Sequence, residues 1–234
     1  MQDNFKIFKD SGYLIVHNLI SKDLIDGMYK LYMSDYQDPE KFIYDDDAPM
    51  IGPSWVSRRP SYFNATPFTN TQNFFINWFQ ENMLMRTAPT YNMGRVYTDE
   101  TKSMFKHTDR TPCEISITMP IAYDTAPWNI SIENKDGTNS AVELRVGDVL
   151  FYYGCDMPHF RKEDSLNKFH IQHYFHFVDL DSELGSFYNY FRSRRTGGDT
   201  WPSNLNDLKQ NEQLPIMNME DKIAYQKLIG EKNV

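Results

Sequence analysis

From about residue 91 the chain is written in short β-type runs. They fall at 95–97, 114–121, 128–132, 142–145, 149–153 and 169–178, and turn signals such as Asp136-Gly137 and Gly147-Asp148 separate them. Closely spaced short strands with this punctuation point to a sandwich or a barrel. The residues before them read differently. Residues 12–17 (GYLIVH) form a strand pattern, and Ser21 is placed to cap a helix whose apolar residues Leu24, Ile25, Met28, Leu31 and Tyr32 make one stripe. A second amphipathic helix at 71–86 puts Phe74, Phe75, Trp78, Phe79 and Met85 on one side. Residues 37–69 read as irregular, with Pro39, Pro53, Pro60 and Pro67 and the acidic run 45–47. The expected class is therefore mainly β with N-terminal α-helices.

Composition sets the outer limits. The chain has 234 residues, 40% hydrophobic and 15% aromatic, which is ample for a core and a lined pocket. This excludes a wholly disordered, collagen-like or small disulfide-stapled chain. The expected organisation is one domain over 1–234: helical support and lid loops over 1–89, a β core over 90–180 and a C-terminal extension over 181–234. The longest apolar run, 149–153, is far short of the ~20 residues a membrane helix needs. The polar start Met1-Gln2-Asp3-Asn4 lacks the apolar segment of a signal peptide. A cytoplasmic protein with no membrane partner is the expectation. A net charge of −8 disfavours nucleic acid as a partner. Cys113 and Cys155 lie in no C-x-x-C motif, which excludes a zinc ribbon, and a cytosolic setting favours free thiols.

Five of the six histidines fall in the β region: His107, His159, His170, His173 and His176. In His107-Thr108-Asp109, residues two apart on a strand point to the same face, so an imidazole and a carboxylate can hold one metal ion from one side. His159 follows the Gly147-Asp148 turn and the run 149–153, and a sheet folded back on itself brings it beside that pair. Two histidines and a carboxylate leave three positions open on an octahedral ion, the ligand set of non-haem iron(II) oxygenases.

Tyr97, His107, Asp109, His159 and Lys168 together match the pattern of iron(II)- and 2-oxoglutarate-dependent dioxygenases. The tyrosine stands ten residues before the first histidine and the lysine nine after the last. The chain resembles most the prolyl-hydroxylase-like branch and related phage and bacterial enzymes, over residues 90–180 and more loosely over 1–89. The resemblance implies a double-stranded β-helix, or jelly roll, with helices N-terminal to it. It implies Fe(II) held by His107, Asp109 and His159, with 2-oxoglutarate and O2 as co-substrates, and hydroxylation of a substrate with release of succinate and CO2. It further implies that Tyr97 donates to an oxoglutarate carboxylate and that a cation binds the far carboxylate. Lys168 occupies the family's position for that cation. Arg161, two residues beyond His159, is the rival, and Arg95 and Arg145 are weaker candidates.

Strand parity adds a test. Lys168, His170, Gln172, Tyr174 and His176 share one face of the last run, and Phe169, Ile171, His173, Phe175 and Phe177 the other. A polar inner face fits a barrel that holds a ligand, because buried polar groups need partners. His170 is then a neighbour of the metal ligands, a substrate contact or a satisfied buried histidine, and the last reading applies to His173 and His176 as well. The substrate, a small molecule or a peptide, would be contacted by residues 37–69 and the tail, with Arg58, Arg59 and Tyr62 suited to an anion and the acidic run to a basic peptide. Arg192, Arg194 and Arg195 are weak ground for nucleic acid. Two other readings compete. A cupin-type metalloprotein without oxoglutarate would recruit His170 or His176 as a ligand. A non-enzymatic jelly-roll interaction protein would have no need of a complete triad.

Overall fold

The computed structural model describes residues 4–36, 42–44, 57–60, 66–98, 103–162 and 167–185. In chain order these form α1 (Asn4–Ser11), β1 (Tyr13–Val16), α2 (Lys22–Tyr36), β2 (Phe42–Tyr44), β3 (Ser57–Pro60), α3 (Thr66–Met83), β4 (Thr87–Thr98), β5 (Met104–His107), β6 (Ile115–Tyr123), β7 (Ile130–Glu133), β8 (Asn139–Val142), β9 (Val149–Tyr153), β10 (His159–Arg161) and β11 (Phe169–Asp179). The strands build two sheets, in the orders β1-β9-β6-β11-β4-β3-β2 and β5-β10-β7-β8. Every pairing between neighbours is antiparallel. From β4 onward, successive strands alternate between the sheets except at the β7–β8 hairpin, which is the double-stranded β-helix that the family resemblance implied.

The helices cover the outer face of the large sheet. Phe8 of α1, Ile25, Met28 and Tyr32 of α2, and Phe75, Phe79 and Met83 of α3 meet Ile115, Ile117, Val149, Phe151, Phe175 and Phe177 in one core. Trp78 stacks on Phe151 at 4.5 Å, and Phe79 meets Phe177 edge-on at 5.3 Å. Burying each such side chain contributes about 1.5–3 kcal/mol, so this layer carries much of the stability. A smaller apolar cluster, including Met104, Ile130, Ile132, Leu150 and Met157, closes the space between the sheets. No helix among the described residues is long and apolar enough to cross a membrane.

Several elements depart from the sequence reading. Helix α1 had no counterpart in it, because eight residues with one buried side chain, Phe8, carry too little periodicity to detect. The stripe on α2 is narrower than expected: Ile25, Met28 and Tyr32 are buried, while Leu24 and Leu31 face solvent. On α3, Phe74 is likewise exposed. That helix ends one turn after Phe79, where Leu84 takes a left-handed backbone (φ 54°) and the Met85 N–H returns to the Phe79 carbonyl at 3.3 Å, so Met85 packs from beyond the helix. The run expected at 142–145 lies earlier, as β8. The Asp136-Gly137 turn pairs Ile130–Glu133 with Asn139–Val142 as a hairpin, and residues 145–148 form the next turn, with the Asp148 N–H on the Arg145 carbonyl. Within 37–69, β2 and β3 extend the edge of the large sheet. Of the expected substrate-contacting residues, the acidic run 45–47, Tyr62, Arg192, Arg194 and Arg195 lie outside the described residues.

Candidate metal centre

His107 closes β5 and His159 opens β10, and the antiparallel pairing of these strands sets the two residues directly opposite each other. Their rings are 4.4 Å apart. Asp109 lies two residues past His107, beyond the end of the strand, so strand alternation does not aim it. Its own N–H is held by the Gly154 carbonyl at 2.8 Å, and its Oδ2 accepts from Ser116 Oγ at 2.7 Å. One ligand atom from each of His107, Asp109 and His159 lies within 4.8 Å of the others, a cluster able to hold a metal ion. The side chains are graded in exposure: His159 3%, Asp109 15% and His107 21%. The centre is thus buried on one side and open on the other.

The backbone sets which ring nitrogens are able to ligate. His107 Nδ1 lies 2.9 Å from the Phe105 carbonyl, and His159 Nδ1 lies 2.9 Å from the Met157 carbonyl. A carbonyl only accepts, so both rings carry their proton on Nδ1 and present the Nε2 lone pair. Those Nε2 atoms are 3.8 and 3.6 Å from Asp109 Oδ1. Burial, opposed by the Asp109 carboxylate, pushes the His159 imidazole below its ordinary range, which favours the neutral form that binds metal.

Beside the triad is a cavity of about 230 Å3. Its walls include Tyr91, Met93, Arg95 and Tyr97, alternate residues of β4, and Tyr174 and His176 of β11. The Tyr97 and Tyr174 hydroxyls are 2.7 Å apart. Burial drives the Tyr174 phenol well above its ordinary value, opposed in part by the charges of Arg161 and Arg95, and Arg95 shares the cavity wall with the paired phenols. Arg161 is 2% exposed, sits over the Trp128 ring at 5.1 Å and donates from one terminal nitrogen to the Trp128 carbonyl. Its Nε is buried without a hydrogen-bond partner among the described residues. That orphaned donor suits an anion.

The structure places Tyr97 on the cavity wall and buries Arg161 beside it, but does not bring Lys168 in. Lys168 stands one residue before β11 begins, ahead of the alternation that would aim it inward. Its side chain is exposed and its amide N–H points to Asp124 Oδ2 at 3.3 Å. The inner face of β11 therefore starts with His170, which meets Tyr123 and Trp128, and continues through Gln172, bonded to Thr118, to Tyr174 and His176. Neither His170 nor His176 joins the ligand cluster. On the outer face His173 is buried, stacked on Phe68 at 4.1 Å, with Nδ1 2.5 Å from the Tyr32 hydroxyl. The sequence reading did not single out Ser116, Tyr152 or Gly154. The pattern Ile115-Ser116-Ile117-Thr118-Met119 held a signal for the first, since its two hydroxyls share the face opposite the isoleucines.

No protein-family model and no curated protein matches this sequence. Solved structures do match in three dimensions. The non-haem α-ketoglutarate-dependent carbocyclase SnoK from nogalamycin biosynthesis superimposes with a TM-score of 0.62 over 88% of this chain and 94% of its own, at 12% identity. HygX from Streptomyces hygroscopicus, solved with nickel, 2-oxoglutarate and hygromycin B, gives 0.59 over 77% and 88%, at 10% identity. A Pseudomonas putida prolyl-4-hydroxylase gives 0.55 over 74% and 96%, at 10% identity. The chain has the fold of the iron(II)- and 2-oxoglutarate-dependent oxygenases. At such identities the likeness speaks for this oxygenase fold and not for the prolyl-hydroxylase branch in particular.

Proposed function

We propose that the protein is an Fe(II)- and 2-oxoglutarate-dependent oxygenase that hydroxylates a small molecule or peptide in the cytoplasm. The convergence of His107, Asp109 and His159, with both rings held at Nδ1 by backbone carbonyls and both Nε2 atoms turned toward Asp109, carries this reading. These three would hold Fe(II) from one side. Arg161, with Arg95 and the Tyr97–Tyr174 pair, would receive the carboxylate of 2-oxoglutarate, replacing Lys168 in that role. An Arg–carboxylate pair away from water is a strong, oriented contact. When bound, iron and oxoglutarate supply oxidising power by O2-dependent decarboxylation to succinate and CO2. The chain supplies placement and dryness: Met93, Met104 and Ile130 line the cavity with apolar surface, which keeps water from the reacting groups.

The test needs no substrate. Anaerobic addition of Fe(II) and 2-oxoglutarate should produce the visible charge-transfer band of the chelate. His159→Ala should abolish it, Arg161→Met should raise the oxoglutarate concentration required at least tenfold, and Lys168→Ala should leave it unchanged. Iron binding without the band would sink the oxoglutarate reading, and failure to bind iron would sink the metal site itself.

A further inference from the structure

Three groups meet behind the metal centre without joining it. Ser116 Oγ lies 2.7 Å from Asp109 Oδ2 and 3.0 Å from His176 Nδ1, and the buried Tyr152 stands directly opposite the same serine. The register explains the meeting: β6 pairs with β11 at Ser116↔His176 and with β9 at Ser116↔Tyr152. A longer contact, 3.3 Å, joins the serine to the Cys113 carbonyl.

The protons along this chain can run only one way. Asp109 Oδ2 is a carboxylate oxygen and only accepts. The hydroxyl has a single proton and two lone pairs, so with that proton on the carboxylate the imidazole must donate to it, while the Cys113 carbonyl can only share the same proton. His176 then carries its proton on Nδ1. Its Nε2 has a lone pair and no hydrogen-bond partner among the described residues, and the ring lines the cavity. Tyr91 packs against the ring at 4.6 Å and holds its plane.

We infer that Ser116 and His176 are positioning residues: the directed chain from His176 Nδ1 through Ser116 Oγ to Asp109 Oδ2 occupies the outer carboxylate oxygen, leaves Oδ1 alone for the metal, and turns His176 Nε2 to the cavity as an acceptor for a substrate N–H or O–H. This rests on the metal-site reading above. Without the chain both carboxylate oxygens compete for the ion and take a position needed by the co-substrate. Hydrogen bonds of this kind behind a ligand are worth about 10–100-fold in metal affinity.

Cobalt(II) serves as the probe, because its d–d spectrum reports coordination number without turnover. Wild type, Ser116→Ala, His176→Phe and His176→Asn are titrated with Co(II), and their melting curves are recorded. Asparagine places an amide N–H where Nδ1 was. The expected result is about 10–100-fold weaker binding and an altered d–d spectrum for Ser116→Ala, a smaller loss for His176→Phe, and wild-type affinity and spectrum for His176→Asn. Wild-type affinity and spectrum in a folded Ser116→Ala protein would overturn the inference. If that variant does not fold, equal affinities for the two His176 variants would overturn it instead. Failure of wild type to bind Co(II) would bring down the metal-site reading and this inference with it, an outcome distinct from either.

Discussion

Gly154→Ala tests how the chain aims Asp109, the acidic member of the candidate centre. Gly154 accepts the Asp109 N–H at 2.8 Å and donates to the Glu114 carbonyl at 3.0 Å, so its backbone is clamped between the two segments that frame the site. A Cβ added there would lie 2.5 Å from Asp109 Oδ2 and 2.6 Å from Ser116 Oγ, and closer still to the Cys113 carbonyl. The carbonyl is backbone and cannot swing aside, and the other two atoms are the ends of one hydrogen bond. Overpacking such a place costs about 1–3 kcal/mol, and breaking a hydrogen bond to a charged group about 1.5–3 kcal/mol more. For a chain of this length each kcal/mol lowers Tm by about 2–4 °C, so the sum of at least about 2.5 kcal/mol predicts a fall of about 5 °C or more. Metal affinity should drop about 10–100-fold, since Asp109 is displaced along with its serine. Thermal melting and a metal titration read the two effects. Gly27→Ala on α2, where an added Cβ meets nothing within 4 Å, is the control and should gain about 0.5–1 kcal/mol. A Gly154→Ala protein with wild-type Tm and wild-type metal affinity would refute the reasoning.

Other perturbations have equally definite outcomes. Phe79→Ala, at the centre of the aromatic layer, should cost about 3–5 kcal/mol by denaturant unfolding while leaving the metal site of the folded protein intact. Glu114 is pushed up from 4.5 to about 7, mainly by burial, although it accepts from the Asp179 N–H and Ser182 Oγ. Its native form therefore holds a proton that the unfolded chain releases, so stability falls as pH rises from about 4.5 to 7. Glu114→Gln should remove that decline, and an unchanged Tm–pH slope in the variant would contradict it. Asp148 behaves oppositely. Burial would raise its carboxyl, but the Arg145 and Asn18 N–H groups and His17 outweigh it and hold the pKa below 3.8. Its contribution is full above the unfolded value and disappears as pH falls through the lower folded one, so the Tm gap between wild type and Asp148→Asn should close in acid.

The sequence made the centre legible wherever one residue type carries one job. Two histidines and a carboxylate have few structural uses together, and the alternation on 169–178 separated the cavity-facing side of β11 from the helix-facing side. Supporting residues were harder to read. Ser116 reaches both Asp109 and His176 because β6 lies between β9 and β11, a fact of pairing that spacing along the chain does not encode. Lys168 illustrates the converse: its spacing from His159 fits, yet the strand begins one residue later and the lysine never acquires an inward direction. Arg161 shares the buried face of His159 as two-residue alternation requires, and the same alternation sets Arg95 on the cavity wall with Tyr97. Hairpin position was misjudged at β8 because the turn, not the apolar run, decides where pairing starts.

The two faces of β11 have one more consequence. Phe175 and Phe177 lock the outer face to the helices, whereas Tyr174 and His176, their neighbours in the chain, look into the cavity. Core packing is thus carried by one set of side chains and the cavity lining by another, interleaved residue by residue along a single strand. A lineage built this way can rewrite its inner alphabet while the outer one keeps the scaffold standing. That separation gives a physical reason why one architecture persists among chains sharing as few as 10–12% of their residues, and why such a barrel can change its lining by exchanging residues that the fold does not depend on.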